Sequence, residues 1–93
     1  MRYRVSFTKS AEREFDWIPK WAWRRFVQGF DQMEVNPYRS VRGLLRVHPL
    51  HGRPGYHTMV VARYRGIYHL EGDEVVFTAF RLRPVAYKDI AKV

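Results

Sequence analysis

The hydrophobic period along this chain switches from two residues to about 3.6 and back to two, and that order restricts its fold more than any other feature. Tyr3, Val5 and Phe7 alternate with Arg4 and Ser6, which sets three apolar side chains on one face of an opening β-strand. Thr8 and Ser10 are then candidate N-caps, Glu12 and Glu14 sit early, where a helix dipole favours acids, and Ala11, Phe15 and Ile18 recur at helical spacing. The spacing predicts a short helix ended by Pro19. From Lys20 onward Trp23, Phe26 or Val27, Phe30 and Met33 repeat every three to four residues, while Arg24, Arg25, Gln28, Asp31 and Gln32 take the other side. That is the pattern of a second, amphipathic helix. Gly29 weakens it unless another element approaches closely there.

Between about Glu34 and Gly55 the chain carries Pro37, Pro49 and Pro54 with Gly43, Gly52 and Gly55, the strongest turn signal it has. This stretch reads as a long connection with a short helical turn near Val41 to Arg46. Its length is unusual for a compact domain, so it either hides an element or has a job of its own. Three runs rich in Val, Ile, Tyr, Phe and Thr follow, Tyr56 to Ala62, Tyr64 to Leu70 and Glu74 to Phe80, the last two separated by Glu71-Gly72-Asp73. They predict an antiparallel meander. The expected fold is α+β: two N-terminal helices on one face of a mostly antiparallel four-stranded sheet, in the order β-α-α-β-β-β. The opening strand has no near neighbour to pair with, so it must join the sheet beside one of the last strands. A length of 93 residues suits one domain, spanning 1–93, rather than two cores.

With 17 Lys+Arg against 9 Asp+Glu, the formal net charge is +8, and such a chain seeks polyanions or an acidic protein partner. Arginine dominates, 13 to 4 over lysine, and planar guanidinium forks grip phosphate oxygens in two-point fashion. Arg53, Arg63, Arg65, Arg81, Arg83 and Lys88, with His57, come from the meander strands and their ends, and side chains of one parity converge on one sheet face. Tyr87, in a polar terminal segment, is the best candidate for an exposed ring that stacks on a base. The plainer alternatives are a solvated charged face, Arg65 paired with Glu71 or Glu74, an ordinary exposed His57, and Tyr87 capping the core edge.

No cysteine is present, which excludes disulfides, thiolate metal sites and a Cys nucleophile and suits a reducing compartment, with the cytoplasm expected. The amino terminus lacks a signal-peptide pattern, and no apolar run is long enough for a membrane span. His48 and His51 lack the further ligands of a metal site, and neither a Gly-rich phosphate loop nor a nucleophile elbow occurs. No cofactor is expected. RNA, however, carries its own nucleophile: its 2′-hydroxyl attacks the adjacent phosphate when a base takes its proton, cations stabilise the charge and an acid protonates the leaving oxygen.

The residues resemble the RelE/ParE toxin superfamily of type II toxin-antitoxin modules nearly end to end. The likeness runs through Tyr3-Arg4-Val5-Ser6-Phe7-Thr8, the helices joined at Pro19, Leu50-His51-Gly52 in place of a Leu-x-Gly motif and Tyr56-His57. It continues in Tyr64-Arg65-Gly66-Ile67-Tyr68, similar to a Tyr-Arg-x-x-Tyr strand, and in Arg81-Leu82-Arg83-Pro84-Val85-Ala86-Tyr87, similar to a closing Arg-x-Arg-x-x-x-Tyr. The resemblance implies the microbial ribonuclease-like fold of RelE and a ribosome-dependent, metal-independent mRNA endoribonuclease. It also implies a cognate acidic antitoxin as partner, and contacts with mRNA and with 16S rRNA at the ribosomal decoding site. On it, Arg65 matches the arginine that binds the scissile phosphate, Arg81 the one that neutralises transition-state charge, and Tyr87 the tyrosine that stacks on a base or orients the 2′-hydroxyl. A lysine pair found in several members appears here as His57 and Met59, with His57 the implied base and Arg53, Arg63 and Arg83 supplying charge. The turn before Tyr64 also departs from the family, with Ala62-Arg63 where a Gly-Asp pair is common. The same fold admits two alternatives: a ParE-like inhibitor of DNA gyrase, and a non-catalytic member that only binds RNA or antitoxin.

Overall fold

A computed structural model describes residues 2–38 and 46–82. The elements are β1 (Arg4–Phe7), α1 (Lys9–Phe15), α2 (Lys20–Met33), β2 (Val47–Pro49), β3 (Tyr56–Val61), β4 (Tyr64–Glu71) and β5 (Glu74–Leu82), and the sheet runs in the order β1-β5-β4-β3-β2. Strand β1 lies parallel to β5 and the other pairings are antiparallel. The α+β class and the element order agree with the sequence reading; the strand count does not, because the sheet has five strands rather than four. The extra strand β2 lies inside the stretch read as a connection. It is only three residues long and ends on Pro49, and it gains its ladder from Val47 and Pro49 lying opposite Met59 and His57. The helical turn expected near 41–46 falls almost wholly outside the described residues.

Each element ends for a local reason. Thr8 caps α1, its hydroxyl accepting the Ala11 N–H at 3.2 Å, and Pro19 opens α2, its carbonyl accepting the N–H groups of Ala22 and Trp23. Both helices cover one face of the sheet. All six phenylalanines of the chain meet there: Phe7 on β1, Phe15 on α1, Phe26 and Phe30 on α2, Phe77 and Phe80 on β5. Phe7 sits at their centre, 5.3 to 5.7 Å from the rings of Phe15, Phe30, Phe77 and Phe80 in edge-on contacts, the geometry that ring quadrupoles favour. Tyr68 is fully buried beside them, and its hydroxyl donates to the Pro37 carbonyl at 2.5 Å. Burial, and then Tyr38, push its ionisation far above the usual tyrosine range, so the hydroxyl remains a donor. The tryptophans stay outside this core. Trp17 is 88% exposed, and Trp21 and Trp23 are also solvent-facing, all on the rim where α1 passes into α2.

Gly66 tells the two faces of β4 apart. A Cβ there would lie 2.9 Å from Phe77 Cε2, 3.0 Å from Phe80 Cε1 and 3.2 Å from Phe26 Cε1, so the even-numbered residues of β4 face the helices. Arg65, Ile67 and His69 therefore face outward.

Candidate functional site

A single extra residue turns Arg81 to the outer face. In β5, Val75 and Phe77 face the helices, and strict alternation would carry Ala79 and Arg81 to the same side. The register slips between Ile67 and Tyr68, so that Ile67 lies opposite Ala79 while Tyr68 lies opposite Phe77, and Thr78 is the bulged residue. Beyond it the phase is inverted: Phe80 joins the phenylalanine core, and Arg81 lies directly opposite Arg65. Like charges directly opposite each other in a sheet are destabilising, so this pair carries a cost that packing alone does not explain.

Each arginine is held differently. Arg65 is 8% exposed, and its Nη1 donates to the carbonyls of Ala62 at 2.7 Å and Tyr64 at 3.0 Å, which clamps the β3–β4 turn. Its Nε is buried with no partner. Arg81 is reached from 67 positions away by Glu14 of α1, whose Oε2 accepts from Arg81 Nε at 2.6 Å while Oε1 accepts the Phe80 N–H at 3.2 Å. That carboxylate takes up the edge of β5 where β1 has ended, the last link of β1 being Thr8 N–H to the Phe77 carbonyl. Neither arginine pairs with Glu71 or Glu74.

The other candidate residues separate. His57 stands opposite Tyr68, on the helix side, its ring stacked on Tyr68 at 5.4 Å and edge-on to Tyr38 at 5.8 Å. Burial lowers its pKa from the usual histidine value. It therefore does not share a face with Arg65, and nor does Met59. The reason is the two-residue turn Ala62-Arg63, which fixes Val61 opposite Tyr64 and so puts Tyr56, Thr58 and Val60 on the outer face instead. The turn is closed by Ala62 at φ 53°, a left-handed conformation in a residue other than glycine. Arg63 is exposed in that turn. Arg53 lies at the other end of the sheet, its guanidinium carbon 4.3 Å from the centre of the Tyr56 ring. Arg83, Tyr87 and Lys88 lie outside the described residues.

Five outer-face or edge residues escaped the sequence reading as site residues. Glu14 does so because its partner is remote in sequence. Thr58 is fully buried and its hydroxyl has no partner. His69 and Glu71, two apart in one strand and so on one side, form a pair at 2.8 Å between Nε2 and Oε1, and the His-x-Glu spacing on a strand is a signal that was available. Tyr56 lies opposite His69, the rings 5.0 Å apart. Among the described residues no group of three or more His, Cys, Asp and Glu side chains is placed to hold a metal ion, and no helix is long and apolar enough to cross a membrane.

No protein-family profile and no curated protein sequence matches the chain. Solved structures do. The archaeal RelE of a RelE-RelB complex from Pyrococcus horikoshii is 25% identical, covering 89% of this chain and 97% of its own, with a TM-score of 0.71. The toxin-antitoxin complex RelBE2 from Mycobacterium tuberculosis is 23% identical over 89% of this chain and 100% of its own, at a TM-score of 0.70. Escherichia coli toxin RelE in the free state covers 99% of this chain and 97% of its own at 16% identity and a TM-score of 0.75. The mixed sheet under two helices, with its order β1-β5-β4-β3-β2, is the fold of the RelE/ParE toxins.

Proposed function

We propose that the chain is the toxin of a type II toxin-antitoxin module and that it inhibits translation by cutting mRNA on the ribosome. The observation that carries this reading is the facing of Arg65 and Arg81 across adjacent strands on the outer side of the sheet. Two arginines directly opposite each other in adjacent strands cost stability, and such a pair suits a phosphate whose charge grows during reaction. In the proposed reaction the 2′-hydroxyl attacks the adjacent phosphorus and the bond to the 5′-oxygen breaks, leaving a 2′,3′-cyclic phosphate and a 5′-hydroxyl. Arg65 is assigned to holding the phosphate, with its Nη1 committed to the turn carbonyls. Arg81, fixed by Glu14, offsets the charge that builds on the leaving group. Tyr87, with Arg83 and Lys88, is assigned to gripping the RNA.

His57 takes no part in this scheme, because it lies on the helix side. Among the described residues, the carboxylate nearest the arginine pair is Glu14, and it is tied to Arg81. With no independent base there, cleavage of naked RNA should be slow, and the ribosomal decoding site is the expected place of action. The partner that keeps the module silent is an acidic antitoxin that folds over the cationic surface. This reading is supported by the antitoxin complexes among the similar structures.

Primer extension on translating ribosomes tests the proposal. Expression of the chain should produce cuts at codon positions, and Arg81→Ala should lower cutting by roughly a hundredfold or more while circular dichroism shows the fold retained. Intact message together with inhibited gyrase supercoiling would transfer the function to the gyrase-poisoning branch of the fold.

A further inference from the structure

We infer that the outer face has a second end, a nucleobase subsite built by Arg53, Tyr56, His69 and Glu71, which takes a base with an exocyclic amino group from the RNA flanking the cut. The inference rests on the RNA-cleaving reading and adds to it a residue set for base preference.

Three side-chain polar atoms among the described residues are buried with no partner: Thr58 Oγ1, Arg65 Nε and His69 Nδ1. All three belong to the outer face, Thr58 lying opposite Ile67, midway between Arg65 and His69 on β4. Folded proteins keep few such orphans, and each calls for a reason. Their confinement to one side of the sheet sets that side apart, in polarity, from the apolar helix side. Arg65 and His69 are four residues apart, about 13 Å along the strand. The Arg65 guanidinium also turns back toward Ala62, away from His69. The histidine end is therefore too far to act on the linkage held by the arginines, and it faces a neighbouring nucleotide instead.

The chemistry at that end fits a base. The Arg53 guanidinium lies over the Tyr56 ring at 4.3 Å, and Tyr56 meets the His69 imidazole at 5.0 Å. Leu50, Ile67 and Ala79 form an apolar floor on which Tyr56 packs. Flat rings and guanidinium planes over an apolar floor are how proteins stack single-stranded bases. Glu71 supplies the discrimination. Its Oε1 accepts from His69 Nε2–H, and its side chain is 66% exposed, so the remaining carboxylate lone pairs are open to solvent. A carboxylate only accepts, so it binds the amino group of adenine or cytosine and repels the carbonyl edge of uracil.

The test uses the full chain and fluorescein-labelled 2′-O-methyl hexanucleotides of adenine, cytosine or uracil, which bind without being cut. Adenine and cytosine oligomers should bind about tenfold more tightly than uracil oligomers. Glu71→Gln should bring that preference to about twofold or less, because the amide can donate to uracil. His69→Ala, which removes the donor that orients the Glu71 carboxylate, should weaken the preference without unfolding the chain. Equal binding of all three oligomers by the natural chain, or an undiminished preference in Glu71→Gln, overturns the subsite. Its fate is separable from that of the nuclease. Primer-extension cuts without any base preference would remove the subsite alone, and a base preference abolished by Glu71→Gln in a chain that never cuts would remove the nuclease alone.

Discussion

At the scale of single residues, the sharpest tension lies in the β3–β4 turn. Ala62 is held at φ 53°, where an L side chain costs about 1–2 kcal/mol, and Arg65 clamps the carbonyl of the same residue. Ala62→Gly should relieve the strain and stabilise the chain by about 0.5–1 kcal/mol after the added freedom of the unfolded chain is counted, which urea unfolding would read directly. The same turn explains why the face of His57 was not legible in the sequence. The identities of Arg65 and Arg81 were readable as cations on strands, but which side a residue takes depends on turn length, and a change of one residue inverts it. Glu14 was illegible for another reason: its contacts to Arg81 Nε and the Phe80 N–H span the whole chain, and no local pattern announces them. The positions of Arg83, Tyr87 and Lys88 stay with the sequence reading.

At the scale of elements, the switch of hydrophobic period was enough to place β1, both helices and the meander, because each buries a whole face and repeats its signal several times. Strand β2 was not readable, since three residues ending in proline carry no period and owe their state to β3. The bulge at Thr78 was equally silent. Phe77 and Phe80 sit three apart yet stack at 5.1 Å with an interplanar angle of 10°, and that spacing, odd for a plain strand, is its only trace. The two rings also press on Gly66, which leaves β4 no room for a side chain there. Gly66→Ala should therefore cost about 1–3 kcal/mol through overpacking, seen as a lower midpoint in thermal or urea unfolding. A neutral substitution would mean that the Phe77 and Phe80 rings move aside freely, and that the tight approach of β5 and α2 to β4 is not required.

At the scale of the whole molecule, division of labour between the two sheet faces is the organising fact. The helix side holds the phenylalanines, Tyr68 and, at its edge, His57, while the outer side holds the arginine pair at one end and the Arg53-Tyr56-His69-Glu71 cluster at the other. A net charge of +8 makes RNA affinity strongly salt-dependent. For three neutralised phosphates, binding to a single strand should weaken by roughly twentyfold between 50 and 200 mM salt, and Arg81→Ala should lower the slope of log affinity against log salt by about 0.7. A slope unchanged by that substitution would place Arg81 away from the phosphates. The rim between α1 and α2 has its own consequence. Because Trp17 is exposed, Trp21 and Trp23 are half-buried against Tyr64 and Phe15, and the core is built of phenylalanine, indole emission reports on this rim. A molecule settling on the rim should therefore change its colour: the chain carries a built-in optical probe for its own periphery.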